Sequence, residues 1–493
     1  MQEFRCVKYD TLLGAVLTLT MLVPCAAFAA DSAPNMSPAE ITQTEPAPAA
    51  QTTSSSTQQG LSWDTGVRKN YLIPAFEIMG FDLLVNQVNR RIWNEPEYRS
   101  NFTSIKNNLT GKWVVDTDPF KVNQFLHPYQ GSMYHGFARS TGLDFWESLG
   151  LTFAGSAFWE IAGETTKPSK NDQIASGIGG SFLGEPLFRM ASLVLERGDT
   201  HRFWREAGAA AISPATGFNR LAFGDRYDAV FSSRDAAIFS KVQFGGSITS
   251  LTNQGGSQSF IRNEATLDFS MDYGLPGKPG YAYTRPFDYF SFQATASSAN
   301  VFENVMTRGL LVGKDYTAAN DTFRGVWGLY GSYDYIAPQI FRISTTALSL
   351  GSTAQWQLTN AVALQGTALL GTGYGAAGTI HGAGERDYHY GVTPQALLAL
   401  RLILGERAAV DVSARDYYVS RIASTEARGW ENVARGEAAV TMRIYRNHAL
   451  AVRYNYSRRE ASYPDLGNRI QTRGTFSLFY TYLNDKKFGA VQW

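Results

Sequence analysis

Residues 450–457, LAVRYNYS, alternate between large apolar side chains and small or polar ones. Successive side chains of a β-strand point to opposite faces, so this stretch forms a ribbon with two different faces. One face carries Leu450, Val452, Tyr454 and Tyr456, and the intervening residues form the other. The pattern predicts a strand that separates an apolar environment from a polar one.

The same alternation recurs through the second half of the chain, for example in residues 264–271, 410–415 and 440–444. Many segments of about ten residues, with no second layer of sequence to cover their apolar faces, are typical of transmembrane β-barrels. We therefore predict a mainly β fold with an α-helical N-terminal part, in which twelve strands form an antiparallel transmembrane barrel. The expected strands are residues 238–249, 260–273, 288–298, 306–316, 323–335, 339–350, 360–372, 394–405, 407–418, 436–445, 447–458 and 474–484.

The connections between these strands assign an orientation to the barrel. Residues 405–407 and 445–447 form tight turns, whereas residues 373–393, 419–435 and 459–473 are long and polar. Barrels of this class have short periplasmic turns and long external loops, so we expect the C-terminus on the periplasmic side. One connection departs from this pattern, because residues 274–287 form a long connection on the side of the short turns.

The first 30 residues have the layout of a secretory signal peptide. Arg5 and Lys8 precede an apolar stretch at residues 12–23, and small residues follow it. Both cysteines of the chain, Cys6 and Cys25, lie in this segment. We therefore expect a mature protein without disulfides.

Three regions follow the signal peptide. Residues 31–60, rich in Pro, Ser and Thr, are expected to be a disordered linker. A helical domain is expected at residues 61–235 and the barrel at residues 236–493. No apolar stretch of about 18 residues follows the signal peptide, so strands are expected to make any membrane crossing. The net charge of +1 provides no long-range attraction for nucleic acid, which we do not expect as a partner.

The signal peptide and the barrel together predict a protein of the Gram-negative outer membrane with a periplasmic N-terminal domain. The terminal Trp493 resembles the aromatic end that such barrels present to the barrel-assembly machinery. Alternatively, its indole anchors the chain at the membrane interface. Outer-membrane lipid and the assembly machinery are the expected partners, and the oligomeric state stays open.

Two helices of the N-terminal part can be placed from their first residues. Asp144 can begin a helix that ends near Gly163, and Ser169, three residues before Asp172, can begin one that ends at Gly198. Both helices are rich in small residues, which allow close approach of two backbones. We expect them to pack tightly on each other or against the strand wall.

A dense series of polar motifs lies between Asp116 and Arg189. It includes HPYQGS at residues 127–132, the pair Trp159-Glu160 with Glu164, and Pro168-Ser169 with Asn171-Asp172. Over roughly residues 65–235 this series resembles an uncharacterised bacterial envelope family, the domain of unknown function 3943. The resemblance implies an exported Gram-negative protein and supplies no activity.

The ionisable residues of this segment lie among Phe, Trp, Leu and Gly, where an unpaired charge would be costly. They are His127, His135, Arg139, Glu147, Glu160, Glu164, Asp172, Glu185 and Arg189. One interpretation is a structural network of ion pairs that fixes the helices against one another. Another is a zinc site, although the spacing matches no compact metal motif, and we assign no metal or other cofactor. The zinc ligands would be His127, His135, Glu160 and Glu164.

A third interpretation is a lipid-acting hydrolase. Ser132 would be its nucleophile and His135, or alternatively His127, its base. Glu160 or Asp172 would orient the histidine. No G-x-S-x-G motif surrounds Ser132, which suits a helix residue bonded to its own backbone equally well.

The leading functional hypothesis is a non-enzymatic barrel that binds or passes a small or lipid-derived ligand. Twelve strands enclose a modest lumen, so a wide general porin is not expected. The helical domain is expected to pack at the periplasmic mouth or to fill it partly. Its assigned ligand contacts are His127, Arg139, Glu164, Asp172, Glu185 and Arg189. A polar lumen is predicted from the inward residues Arg401, Arg415, Arg443, Arg453, Asp268, Asp272 and Asp411.

Overall fold

The computed structural model describes residues 60–198, 201–254, 259–338, 341–378, 384–425, 429–464 and 467–493. The predicted signal peptide lies outside these residues, as does the predicted linker up to residue 59. In the described part of the chain, helices precede Tyr227 and strands begin at Ile238.

The strands are β1 Ile238–Gln254, β2 Ser259–Tyr273, β3 Phe290–Ser297, β4 Asn304–Ala318, β5 Phe323–Ile336, β6 Arg342–Thr359, β7 Val362–Gly378, β8 Tyr388–Leu404, β9 Ala408–Val419, β10 Trp430–Tyr445, β11 His448–Tyr463 and β12 Gly467–Leu483. They form a closed antiparallel barrel, which confirms the predicted fold and strand number. Each strand pairs with its neighbours in sequence, and β1 pairs with β12, with Lys241 opposite Leu483. Closure removes the two free edges that an open sheet would expose.

Side-chain alternation gives the barrel wall an apolar outer face and a polar inner face. On β11, Leu450 and Val452 point outward and are 47% and 41% exposed, whereas Arg453 points into the lumen and is 3% exposed. On β8, Leu398 is exposed on the outside, while Arg401 pairs with Asp411 inside. The predicted polar interior is thus present.

The two ends of the barrel differ in their connections. The turn end carries the short turns at residues 319–322, 360–361, 405–407 and 446–447, together with the C-terminus. The opposite end, the loop end, carries the connections β3–β4, β5–β6, β7–β8 and β9–β10. The long β2–β3 connection lies at the turn end, as the sequence predicted. Its backbone pairs with β4, since Phe287 N donates to Leu310 O and Leu310 N donates to Tyr289 O.

The helices are α1 Leu72–Arg91, α2 Phe102–Thr110, α3 His127–Ser140, α4 Phe145–Phe158, α5 Lys170–Ile174, α6 Gly180–Glu196, α7 Arg202–Ile212 and α8 Pro214–Phe223. Three π-helical segments, Val122–Leu126, Trp159–Gly163 and Ala175–Gly179, adjoin these helices. Both predicted helix starts are confirmed, because Asp144 accepts from Glu147 N and Ser169 Oγ accepts from Asp172 N. None of the described helices is long and apolar enough to cross a membrane.

The helical domain, residues 61–235, lies against the outer face of the barrel wall. On β5, Asp334 points into the lumen and pairs with Arg308 at 3.1 Å. Its neighbours Tyr333 and Tyr335 therefore point outward. The Tyr333 hydroxyl donates to Gln124 O at 2.6 Å, and both tyrosine side chains are buried. The helices thus cover outward-facing aromatic residues of the wall.

Other contacts place the domain on the same face. A Cβ built at Gly179 would lie 2.7 Å from Thr346 Oγ1, and one built at Gly331 would lie 2.5 Å from the Phe182 ring. The prediction that the domain packs at a mouth or partly fills the lumen is wrong. The physical reason is polarity, because the lumen is lined with charges while the outer wall offers the apolar surface that these helices bury.

The predicted close packing of small residues is confirmed. A Cβ at Gly180 would lie 2.6 Å from Gly131 Cα, so the backbones of α6 and α3 touch at this point. A Cβ at Gly177 would lie 2.7 Å from the Phe153 ring of α4. These glycines allow the segment from Gly177 to Gly180 to pack closely against α3 and α4. Gly179 allows the same segment to contact β6.

Candidate functional site

The three residues predicted as catalytic do not bond to one another in the described structure. Ser132 Oγ donates to Tyr129 O in its own helix, at 2.6 Å. His135 Nε2 faces Glu185, and Glu160 Oε2 accepts from Ser169 N at 2.7 Å. The Ser132, His135 and Glu160 arrangement of a hydrolase is therefore not supported.

A buried ion network surrounds Glu185. Its carboxylate accepts from Arg139 at 2.7 Å, from Arg189 at 2.8 Å and from His135 Nε2 at 3.1 Å. Burial alone would raise the pKa of Glu185, but the two guanidinium groups hold the pKa well below its ordinary value. Burial lowers the pKa of His135, so its ring is neutral and donates from Nε2.

The same network joins the helices to the barrel. Arg189 Nη1 lies 3.2 Å from Asp288 Oδ1, and Arg189 Nη2 donates to Pro286 O at 2.7 Å. Asp288 and Pro286 belong to the β2–β3 connection. Arg234, which precedes β1, also pairs with Asp288. Each of these charges contacts an opposite charge, and the Arg189–Asp288 pair crosses the boundary between helices and barrel. For His135, Arg139, Glu185 and Arg189, the geometry therefore supports the structural interpretation.

A second polar cluster gathers around Asn171 near the loop end. The Asn171 amide donates to Asp116 and Asp172, both at 3.0 Å, and to the Tyr390 hydroxyl at 2.8 Å. Burial raises the pKa of Asp172 well above its ordinary value, and nearby Asp116 adds to this effect. Burial also lowers the pKa of His127, whose Nε2 lies 3.8 Å from Asp172. Both shifts favour the uncharged form of the group.

Glu164 belongs to neither network. It accepts from Trp159 Nε1 at 2.8 Å and from Thr166 Oγ1 at 2.9 Å, and burial raises its pKa to about 7. In the described residues, no group of three or more His, Cys, Asp or Glu side chains is placed to hold a metal ion. The zinc interpretation thus gains no support.

The barrel lumen contains two adjoining cavities of about 70 and 140 Å³. Arg415, Glu437 and Arg453 line both of them, so the cavities form one chamber. Of the predicted lumen charges, Arg401 pairs with Asp411 and Asp272, and Arg453 pairs with Asp268. Arg443 instead pairs with Glu406 in the turn between β9 and β8.

The C-terminal segment, residues 484–493, folds into the turn end of the barrel. Gln365 donates to Gly489 O, and Gln355 exchanges two hydrogen bonds with the backbone of Val491. Phe488 and Val491 pack in an apolar cluster with inward residues of the wall. The other members include Phe239, Leu275, Ala363, Ile403, Ala409, Ala449 and Leu483.

Trp493 completes this closure. Its indole donates to Asp321 O at 2.6 Å, and the Arg324 guanidinium lies 4.9 Å from the ring centre. The sequence singled out Trp493 by its position alone. No sequence signal predicted that the whole segment would turn inward, because its glutamine partners are distant in the chain.

A second apolar layer lies towards the loop end. Phe341, from the β5–β6 connection, packs there with inward residues of neighbouring strands. They include Ile336, Ile343, Ala377, Val419 and Val433. The charged chamber thus lies between two apolar layers and extends beside β1, β2, β11 and β12, where Ser247, Glu264, Asn455 and Arg473 line it.

Comparison with solved structures gives similar barrels of very different sequence. They include an anion-selective porin from Comamonas acidovorans, the toluene transporter TodX of Pseudomonas putida and the outer-membrane channel DcaP of Acinetobacter baumannii. Sequence identities are 8%, 8% and 7%, and TM-scores are 0.23, 0.21 and 0.24. Each match covers 50% of this chain and 100%, 89% and 97% of the other. Because these TM-scores are low, the fold is assigned from the strand pairing described above.

No curated protein matches the chain. A family model described as a domain of unknown function, DUF3943, matches residues 112–215, a narrower region than the sequence resemblance suggested. This region contains Glu185, Asn171 and the three π-helical segments. The helical part that carries both polar clusters therefore contains a DUF3943 domain.

Proposed function

We propose that this protein is an outer-membrane β-barrel that binds a small polar ligand in its lumen and does not act as an open pore. The observation that carries the proposal is the charged chamber closed at the turn end by the C-terminal segment. A cavity needs about 10–15 Å³ to hold one water molecule, so the two cavities together have room for a small solute. A small solute fits such a chamber, whereas free passage requires displacement of the C-terminal segment.

Membrane insertion is supported by the outer surface of the barrel. Large apolar side chains are exposed on the outer wall of most strands, including Phe244, Trp327, Leu350, Leu370, Leu398, Met442, Leu450 and Leu478. Such a band, above a polar lumen, is what a bilayer requires of a barrel. The short turns then face the periplasm and the loop end faces outward.

The proposal extends to the helical domain, whose outer surface faces lipid. Helix α1 buries Asp82 and Asn86, while Leu72, Phe76 and Leu83 are each more than 60% exposed. A helix at a water-facing surface has the opposite arrangement. Polar residues inside and apolar residues outside are expected where lipid is the solvent. The domain and the outer wall thus form one lipid-facing surface, with outer-membrane lipid as partner.

Single-channel recording in planar lipid bilayers tests the closed chamber. Wild-type protein is expected to show no steady open-pore conductance. Gln355→Ala combined with Gln365→Ala removes three of the hydrogen bonds that hold the C-terminal segment and is expected to produce conductance. Gln395→Ala is the matched control, because this inward glutamine bonds Thr345 and Ser332 of the wall. A conducting wild-type protein contradicts the proposal.

A second candidate is a lipid-acting hydrolase with a different serine from the one expected. Ser176 Oγ lies 3.4 Å from His127 Nδ1, and His127 Nε2 lies 3.8 Å from Asp172. These groups follow one another as in a Ser-His-Asp triad, but with the two imidazole nitrogens exchanged, and all three residues are buried. Release of fatty acid from phospholipid vesicles, abolished by His127→Ala, would favour this candidate over the non-enzymatic one.

A further inference from the structure

Two arginines lie directly opposite each other on neighbouring strands. Arg415 of β9 and Arg435 of β10 are register partners. Both point into the lumen and line the chamber. Like charges in directly opposite positions destabilise a sheet unless something compensates them.

Neither guanidinium has a carboxylate oxygen within 4 Å in the described structure. Arg435 donates to the Asn304 amide oxygen at 3.2 Å, and Arg415 contacts the Met306 sulfur. Both partners are uncharged. Asp334 and Glu437 act on Arg415 only from beyond direct contact, as Glu303 does on Arg435, so the pair has no directly bound anion in the described residues.

The other arginines that line the chamber are different. Arg308, Arg453 and Arg473 pair with carboxylates at 3.1, 3.1 and 2.7 Å. Arg401 pairs at 2.6 Å with Asp411, which also binds Lys241 at 3.0 Å. Among the described residues that line the chamber, these two adjacent guanidinium groups are thus the arginines without a carboxylate partner within 4 Å.

The surroundings suit a ligand with several hydrogen-bond acceptors. Arg415 lines both cavities and Arg435 lines one, so the pair lies where the two cavities meet. Side chains that can donate hydrogen bonds line the same space, namely Ser247, Gln293, Thr295, Ser413, Asn455 and Thr475. Carboxylates also line the chamber or pair with its arginines, so the local lack of an anion is confined to the arginine pair.

We propose that Arg415 and Arg435 form the binding site for a compact oxyanion, a phosphate or carboxylate group of a small solute. Planar guanidinium groups bind such groups through paired N–H donors, and two of them can hold one anion between them. This inference rests on the proposed function, because it names the chemistry of the ligand in the lumen chamber.

The test measures thermal unfolding of the purified protein in detergent with inorganic phosphate or acetate, each against sodium chloride of equal ionic strength. At least one of the two anions is expected to raise the unfolding midpoint of the wild type, and the comparison shows which group the site takes. Arg435→Gln is expected to weaken binding of that anion by about tenfold or more. Without the anion, this variant is expected to unfold at a higher temperature than the wild type, because it relieves the repulsion with Arg415.

Arg443→Gln is the matched control, since it removes one positive charge at the turn end outside the chamber. It is expected to keep the full response to the anion. An equal response of Arg435→Gln and wild type, or no response of the wild type beyond that to sodium chloride, would overturn the proposal. Channel recordings distinguish this failure from that of the proposed function, because a closed barrel without an anion site still shows no conductance.

Discussion

Glu185 is the residue on which the attachment of the helices depends most. It is fully buried and compensates Arg139 and Arg189, while His135 donates to it as a neutral ring. Arg189 in turn reaches Asp288 in the barrel. A single carboxylate therefore stabilises two buried guanidinium groups and, through one of them, the boundary between helices and wall.

Glu185→Gln is expected to destabilise the protein by about 3–5 kcal/mol, because it leaves buried positive charge without its partner. Urea unfolding in detergent micelles measures this change. Glu164→Gln is the control, since within the described residues the Glu164 carboxylate accepts from Trp159 and Thr166 and forms no ion pair. Equal effects of the two substitutions would show that the network around Glu185 has no special importance.

Asp82 makes stability depend on pH. Burial raises its pKa to about 8, and its carboxyl group lies against Tyr134 and Gln130. The folded protein holds the Asp82 proton more tightly than the unfolded chain does, so the stabilisation that this proton provides is complete below pH about 4. The stabilisation is lost as pH rises towards about 8, and the free energy of unfolding then falls by at most about 1.4 kcal/mol per pH unit.

Asp82→Asn is expected to flatten this decline between pH 4 and 8, because the amide does not titrate. Unfolding midpoints across that pH range measure the effect. Asp144→Asn provides the comparison, since Asp144 is an exposed helix cap. A decline that is as steep in Asp82→Asn as in the wild type would exclude Asp82 as its source.

The sequence indicated which residues need partners, but not which partners they have. Glu185 and Arg189 are four residues apart on one helix, so their pairing follows from helical geometry. His135 lies 50 positions from Glu185, and Asp288 lies 99 positions from Arg189. Their meeting depends on how α3, α6 and the β2–β3 connection pack, which side-chain type and spacing do not determine.

At the level of elements, helix packing depends on glycine. Gly180→Ala is expected to destabilise the helical domain, because its Cβ would lie 2.6 Å from the backbone of Gly131. Gly150→Ala has open space around its Cβ and is expected to stabilise helix α4 by up to about 1 kcal/mol. Limited proteolysis and thermal unfolding of the two variants measure the difference. Similar behaviour of both would argue against close contact of α3 and α6.

The elements themselves were predictable, because each depends on local pattern. Alternation located all twelve strands, and caps at Asp144 and Ser169 located two helices. The docking of the helices was not predictable in this way. Tyr333, Tyr335 and Tyr390 lie on the outward face of their strands, and such an apolar face suits lipid and a packed helix equally well.

As a whole molecule, the protein is a barrel with a helical domain on its outer wall and, in the function proposed above, both face lipid around a closed, charged chamber. The lumen charges were predictable from inward positions on the strands. Closure by the C-terminal segment was not, because its partners Gln355 and Gln365 lie more than a hundred residues away. These contacts form because the closed barrel brings Gln355 and Gln365 close to the C-terminal segment.

Disulfide formation between an introduced pair of cysteines tests the placement of the helical domain most directly. Both natural cysteines, Cys6 and Cys25, lie in the predicted signal peptide, so no other thiol is expected to compete. The first pair, Gly179→Cys with Thr346→Cys, joins the π-helical segment to a residue on the outer wall. The second pair, Gly179→Cys with Thr345→Cys, uses a neighbouring residue whose side chain points into the lumen and bonds Gln395. The account predicts a disulfide in the first pair and none in the second. A disulfide only with residue 345 would place the helices inside the barrel and contradict it.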